Sequence, residues 1–328
     1  MICTSLEIQL KIIMRKFLYI FIFFSCLANS ASIVANDICD ATLEKPCVVQ
    51  DTTHKNLKIK HWRTARMMYK KYKGNTLGLK HLWISASGAP SRKHFKDIAE
   101  IIFQLTDGKY KKMIDLDLRE ENHVYVNGQA FTLANAYDWI NLGKTHEQSI
   151  VAEKKWMQDL TTQSYIFNVL TPKKFKTKQY AQGVNITINT LESEQQVAED
   201  AGFDYVRLTI TDHMAPRDEE VDRFVSFART IQPDEWIYLH CRGGDGRSTS
   251  FFAMFDMLKN ADKVSFNDII KRQASVSPYY DLSQVERKDP YLTKYYKIRL
   301  KFLKQFYQFA RASLQGYSGN WSAWIKEN

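Results

Sequence analysis

The string His240-Cys241-Arg242-Gly243-Gly244-Asp245-Gly246-Arg247-Ser248 constrains this chain of 328 residues more than any other feature. A short apolar run before it, Glu235 to Leu239, predicts a strand, and Phe252, Phe255 and Leu258 after it recur at helical spacing. A strand, a glycine-bearing turn and a helix in direct succession turn the loop's N–H groups inward at a helix N-terminus, forming a cradle for an oxyanion. Gly243, Gly244 and Gly246 keep side chains out of the path of an approaching phosphate. The inward amides, the helix terminus and Arg247 favour the thiolate of Cys241, and a thiolate in such a cradle attacks phosphorus. Arg247 offers a planar fork for two equatorial oxygens, for which lysine lacks the geometry. Ser248 can donate its hydroxyl to the sulfur as it departs, and His240 is read as a structural residue that orients the loop. The plain alternative, a buried cysteine and a surface arginine on a glycine-rich turn, does not require so restrictive a string. One cysteine and one histidine side by side do not supply a tetrahedral metal site, and no cofactor is expected.

The charge agrees with an anionic partner. Lys+Arg 46 against Asp+Glu 36 gives +10. Nucleic acid fits the charge alone, because neither zinc spacing nor an interleaved aromatic and basic pattern is present. From about residue 55 the chain reads as one continuous mixed α/β body without repeats or linkers. Tyr205 to Thr211 predicts a strand with Val206, Leu208 and Ile210 on one face, ending at Asp212-His213. After Pro216, the acidic turn Asp218-Glu219-Glu220 predicts a helix start with Val221, Phe224, Val225 and Ala228 as its stripe. The last long helix is expected over about Tyr291 to Ala312, with Leu292, Tyr295, Phe302, Phe306 and Phe309 inward. The lysine runs at 70–73 and 173–176 read as ordinary solvated surface.

The amino terminus reads as an address. Arg15 and Lys16, the apolar run Phe17 to Leu27 and the small polar stretch Ala28 to Ser32 follow the order of a secretory signal peptide, with cleavage near Ser30 or Ala31 and Met14 as an alternative start. The apolar run is shorter than the roughly 20 residues a spanning helix needs, so no permanent membrane anchor is expected. The expectation is a signal peptide over 1–31, a flexible leader over 32–54, a catalytic domain over 55–316 and a tail over 317–328, in a secreted or periplasmic protein. Removing residues 1–30 takes 46 basic residues to 43 and 36 acidic ones to 35, so +8 survives. Cys39 and Cys47 either close a small loop or stay as two exposed thiols, leaving Cys241 as the odd cysteine.

Several further strings extend the phosphate-loop reading. Trp62-Arg63-Thr64, Ile84 to Gly88, Asp115 to His123 with Asn127-Gly128, Asp138-Trp139 through Gly143-Lys144, and Thr211-Asp212-His213 with Pro216 stand in this order before the cysteine string. Together they resemble the cysteine phytases, the PTP-like inositol polyphosphate phosphatases of the protein tyrosine phosphatase superfamily, over roughly residues 57 to 310. The resemblance implies an α/β fold, with a PTP-like core of central mixed sheet flanked by helices and a smaller, partly β insert near residues 67–170. It implies hydrolysis of phosphomonoesters through a phosphocysteine on Cys241, with Asp212 as general acid and then base, and Gln273 orienting the water. If burial raises the Asp212 pKa, a mildly acidic optimum follows. Asp212 taken alone would be a strand-end cap. Arg63, Arg242, Asp117, His213, Lys294 and Lys297 are the matched candidates for holding substrate, beside the loop residues 243 to 246. Asp117 reads equally as a hydrogen-bonded strand-end carboxylate, and Lys294 and Lys297 as a solubilising helix face. The chain departs from the family at Asp245, a carboxylate inside the loop, and at Ala274 to Pro278. The implied partner is an anionic phosphorylated small molecule such as inositol hexakisphosphate. A tyrosine or phosphoinositide phosphatase would use the same site. A non-catalytic phosphate-binding module would be expected to have lost the nucleophile or the acid, and both are present.

Overall fold

The structure, a computed structural model, describes residues 38–328. The expected signal peptide lies outside these described residues. In chain order the strands are β1 (Cys47–Gln50), β2 (Arg63–Thr64), β3 (Ile84–Gly88), β4 (Lys112–Asp117), β5 (His123–Val126) and β6 (Gln129–Ala134). They continue as β7 (Tyr165–Val169), β8 (Val184–Thr187), β9 (Leu191–Glu192), β10 (Phe203–Arg207) and β11 (Glu235–Cys241).

The central sheet has the order β10-β4-β11-β3-β2, with β2 antiparallel to β3 and the other pairings parallel. β11 is the middle strand and is buried along its whole length, which is why it reads as a continuous apolar run rather than an alternation. Its carboxyl end therefore opens at the centre of the sheet edge, where open α/β sheets hold ligands. One face packs against the helices Asp218–Thr230, Gly246–Asn260 and Thr293–Leu314, through Phe224, Phe251, Phe252, Leu303 and Phe306. The other face packs against the helix Arg92–Thr106 through Phe95, Ile98 and Ile102, against Phe203, Trp236 and Tyr238. The helix Gly246–Asn260 is buried nearly all round, so its N-terminus is fixed by packing on several sides.

Beside the central sheet lies an antiparallel sheet ordered β1-β6-β5-β9 and a ribbon of β7 with β8, joined through Val49 and Leu170. This small β part differs from the insert expected at 67–170. β3 and β4 fall inside that range yet belong to the central sheet, while β1, β8 and β9 fall outside it. From residue 38 on, the expected leader is built into the fold: β1 pairs with β6, and Cys39 and Cys47 are joined by a disulfide with an S–S distance of 2.09 Å. The expected tail forms the helix Trp321–Glu327, and Trp321 is buried against Phe302, Phe306 and Phe309. Residues Cys39–Asn328 form one compact unit.

Other expectations differ in detail. The strand expected over Tyr205 to Thr211 is β10, ending at Arg207. Its pairing partner β4 ends at Asp117, and the chain then leads Leu208 and Ile210 into the core toward Asp212. The late helix spans Thr293–Leu314, and Tyr296 rather than Tyr295 is its buried tyrosine. Among the described residues no helix is long and apolar enough to cross a membrane.

Replacing both Cys39 and Cys47 by alanine is expected to cost about 2.5 kcal/mol, the loop entropy of so short a crosslink. Thermal unfolding of the pair variant checks this; an unchanged midpoint would show that β1 is held by pairing alone.

Candidate active site

The loop from Arg242 to Gly246 leaves β11 and enters the helix Gly246–Asn260 in one tight turn. Gly244 has φ +81°, and a Cβ there would sit 2.4 Å from the amide nitrogen of Gly88, so glycine is required on both counts. The Cys241 sulfur is buried and faces two donors, the Gly244 amide and the Ser248 hydroxyl, each at 3.2 Å. Behind the loop, Ser248 also reaches the Ser87 carbonyl at 3.3 Å, and the Ala89 amide donates to the Arg242 carbonyl at 3.2 Å. The adjacent strand β3 thus holds the loop from below.

Arg247 is buried and gripped twice by Glu121, with Nη1 at 2.5 Å and Nη2 at 2.8 Å from its two oxygens. Its Nε lies 3.1 Å from Asp212, and Nη1 donates to the Ile210 carbonyl at 3.1 Å. Burial pushes the Asp212 carboxyl pKa up, but Arg247, His213 and the His213 amide outweigh it and bring it down to about 2. Burial therefore does not produce a raised acid here; the neighbouring guanidinium holds the Asp212 carboxyl below its ordinary value. His213 stands beside it, with Nε2 3.4 Å from Asp212 and Nδ1 2.9 Å from the Tyr296 hydroxyl. The Trp139 indole donates to the Asp212 carbonyl at 2.8 Å and fixes the acid's segment from behind.

A cleft of about 700 Å³ opens above the loop at Arg242, Gly243 and Asp212. Arg242 lines it, with Nε 2.8 Å from Asp51, a second pair to Asp138, and its guanidinium over the Phe175 ring. Burial pushes Asp138 up to about 7 against the pull of Arg242, with Glu121 and Asp212 adding to the rise. Lys58, Lys60, Lys176 and Lys178 also line the cleft, and among the described residues none of the four is paired with a carboxylate. Lys176, expected to be plain solvated surface, is thus placed at the site by the short helix Pro172–Lys176, which the ribbon β7-β8 carries.

Other expected substrate contacts stand elsewhere. Arg63 is fully buried behind the loop, donating to Thr249 and to the His61 carbonyl at 3.1 Å each, and burial lowers its pKa to about 10. Asp117 is fully buried, 3.0 Å from both Arg119 and His123, so it is the strand-end carboxylate and not a cleft residue. Lys294 covers the Tyr291 and Tyr295 rings and Lys297 is 3.8 Å from Glu286; neither lines the cleft. The Gln273 side chain is buried without a hydrogen-bond partner, and no contact links it to Cys241. His240 is buried with Nε2 2.8 Å from Glu194 and 3.3 Å from Asp115, which fits the structural role read from the sequence. Asp115, Glu194 and His240, and likewise Asp117, His123 and Glu194, are close enough to ligate a cation, but Arg119 already binds both Asp117 and Glu194.

Sequence reasoning passed over Glu121, Asp138, Trp139, Asp51 and Arg299. Three of these lie inside the quoted strings. Arg299 is buried, donates to the Tyr280 hydroxyl at 2.7 Å, and its Nη1 would meet a Cβ on Gly246 at 2.7 Å, which places it against the loop. Chemically, the arrangement offers a nucleophile with two donors, a buried guanidinium and a carboxylate at the mouth, as in-line displacement at phosphorus requires.

Comparison with known proteins gives the same direction. A family model for PTP-like phytases, described by inositol hexakisphosphate, matches residues 116–259. The PTP-like myo-inositol phosphatase from Mitsuokella multacida, solved with myo-inositol-(1,3,4,5)-tetrakisphosphate, is similar at 30% identity and TM-score 0.74, covering 86% of this chain and 48% of that one. The PTP-like phytase from Bdellovibrio bacteriovorus is similar at 29% identity and TM-score 0.69, covering 85% and 94%. Effector protein hopD2 of Pseudomonas syringae pv. tomato is 34% identical over 210 residues, 64% of this chain and 45% of that protein. The chain thus spans about half the length of hopD2 and of the Mitsuokella chain.

An entering phosphate competes with Asp212 for Arg247, so the Asp212 pKa should rise from about 2 on binding and a proton should be taken up. Calorimetry of inorganic phosphate binding to Cys241→Ser near pH 5, in buffers of different ionisation enthalpy, should read close to one proton taken up. That uptake should vanish when Asp212→Asn is added; equal uptake in both variants would remove Asp212 from this role.

Proposed function

The chain belongs to the PTP-like phytases of the protein tyrosine phosphatase superfamily, and from that premise we propose that it removes phosphates from inositol hexakisphosphate and related inositol polyphosphates. The observation that carries this reading is the set of four lysines, Lys58, Lys60, Lys176 and Lys178, unpaired with a carboxylate among the described residues, around a cleft that Arg242 and Gly243 of the phosphate loop help to line. A single phosphate needs only the loop and Arg247. Several phosphates on one small ring need further cations at a distance, and mobile lysine heads suit phosphates of varied position.

In the first step the Cys241 thiolate attacks phosphorus in line, the bond to the ester oxygen breaks, and Asp212 gives its proton to the leaving alcohol. Arg247 and the loop amides balance the charge on the equatorial oxygens throughout. In the second step the Asp212 carboxylate takes a proton from water, the resulting hydroxide attacks phosphorus, and the P–S bond breaks. The sulfur leaves as thiolate, eased by the Ser248 hydroxyl, and inorganic phosphate is released. No cofactor enters either step. The Cys39–Cys47 disulfide supports placing the protein in an oxidising compartment, in keeping with a secreted or periplasmic location.

The test is phosphate release from inositol hexakisphosphate beside a phosphotyrosine peptide and a phosphoinositide. Inositol hexakisphosphate should be preferred and Cys241→Ser should be inactive. Lys176→Ala with Lys178→Ala should raise KM for the hexakisphosphate roughly tenfold at low salt, with the effect shrinking as salt screens the cleft. Preference for the peptide or the lipid would overturn the substrate, and an active Cys241→Ser would overturn the mechanism.

A further inference from the structure

We propose that Asp245 is a specificity-determining residue that closes one flank of the phosphate loop to a second phosphate and so fixes which ring position is attacked, an inference that rests on the inositol polyphosphate reading above. Asp245 stands between Gly244 and Gly246 with 44% of its side chain exposed, and its Oδ1 lies 3.6 Å from Nε2 of His61. Its Oδ2 leans back over the loop, 3.4 Å from where a Cβ on Gly243 would be. The carboxylate is therefore held at the rim of the loop, and among the described residues its one ion-pair contact is His61.

The segment 58–61 divides the two flanks. Lys58 and Lys60 line the cleft, Ile59 packs into the core, and His61 turns toward Asp245 and Ser277, with Nδ1 3.3 Å from the Ser277 hydroxyl. The stem of Lys60 lies against Gly88, where a Cβ would meet the Lys60 Cδ at 3.1 Å and the Gly243 carbonyl at 2.9 Å. Lys60 thus runs along the loop near Gly243, whereas the partly exposed Asp245 is not among the residues lining the cleft. Lysines stand in the cleft, where Arg242 pairs with Asp51 and Asp138, and the Asp245 carboxylate stands at the rim of the loop outside the cleft lining.

A fully phosphorylated ring has a neighbouring phosphate on each side of the one being cleaved. On the lysine flank that neighbour finds cations; on the Asp245 flank it meets a fixed negative charge at short range, which is repulsive by an amount that decides orientation. The ring is then accepted in the orientations that keep its phosphates on the lysine side, and the first phosphate is lost mainly from one position.

The experiment compares wild type, Asp245→Asn and Asp245→Glu on inositol hexakisphosphate, with the pentakisphosphate isomers of the first turnover separated by anion-exchange chromatography. Wild type should give one dominant isomer. Asp245→Asn should lower the ratio of that isomer to the next roughly fivefold, and Asp245→Glu, which keeps the charge, should preserve the bias. The isomer ratio is internal to each reaction, so a loss of folded enzyme does not move it. An unchanged ratio in Asp245→Asn, or an even mixture from wild type, overturns this assignment while leaving the phytase reading intact. A wild type that cleaves p-nitrophenyl phosphate but not inositol hexakisphosphate overturns both.

Discussion

A guanidinium with no exit to water organises this site. Arg247 is held by both oxygens of Glu121, and a charge so deeply buried is tolerable only when paired and hydrogen-bonded in good geometry. That requirement reaches across the fold. Glu121 stands on the segment joining β4 to β5, Arg247 opens the helix behind the loop, and Asp212 ends the segment that leaves β10. Three elements distant in sequence must converge for one cation to be accommodated. The same pairing leaves Nε beside Asp212, so the candidate phosphate-binding group also lowers the pKa of the candidate acid.

Beneath the nucleophile the sheet carries a second buried polar layer. Arg119 joins Asp117 to Glu194, Glu194 approaches His240, and Arg207 lies 3.5 Å from Asp117 and 2.5 Å from Glu153. His240 also stacks on Tyr238. A network of this kind fixes orientation more than it adds stability, because each partner would be costly to strand alone. Its position under Cys241 makes the floor of the site stiff, whereas the lysines above it stand on short, exposed elements.

The strand, loop and helix of the candidate site were legible because their pattern is local. Cys241, the glycines, Arg247 and Ser248 lie within one turn, and the strand before and helix after them follow from unambiguous periodicity. The helix Asp218–Thr230 was legible for the same reason, from its acidic start and apolar stripe. Cleft residues were not, since which lysines face a site depends on how separate segments meet. The run at Lys173–Lys176 has no periodicity that distinguishes it from solvent-facing surface, yet the ribbon β7-β8 brings Lys176 to the cleft. Arg63 and Asp117 show the converse. Their motifs are local and clear, but burial behind the loop and at the strand end excludes both from the cleft. The charge state of Asp212 was not legible, because Arg247, whose guanidinium holds its pKa down, approaches it from a distant segment.

The Arg242–Asp51 bond joins residues 191 positions apart. Asp51 follows β1, near the beginning of the described chain, and waits for a partner in the loop that is synthesised far later. Contacts of such long range close slowly, since the entropy of the intervening loop must be lost before they contribute. During synthesis, then, the small β part can form while the phosphate-loop segment is still missing, and a chain interrupted before residue 241 lacks the candidate nucleophile. The candidate site is thus completed late in the life of the nascent polypeptide, once the central strand has slotted between β3 and β4.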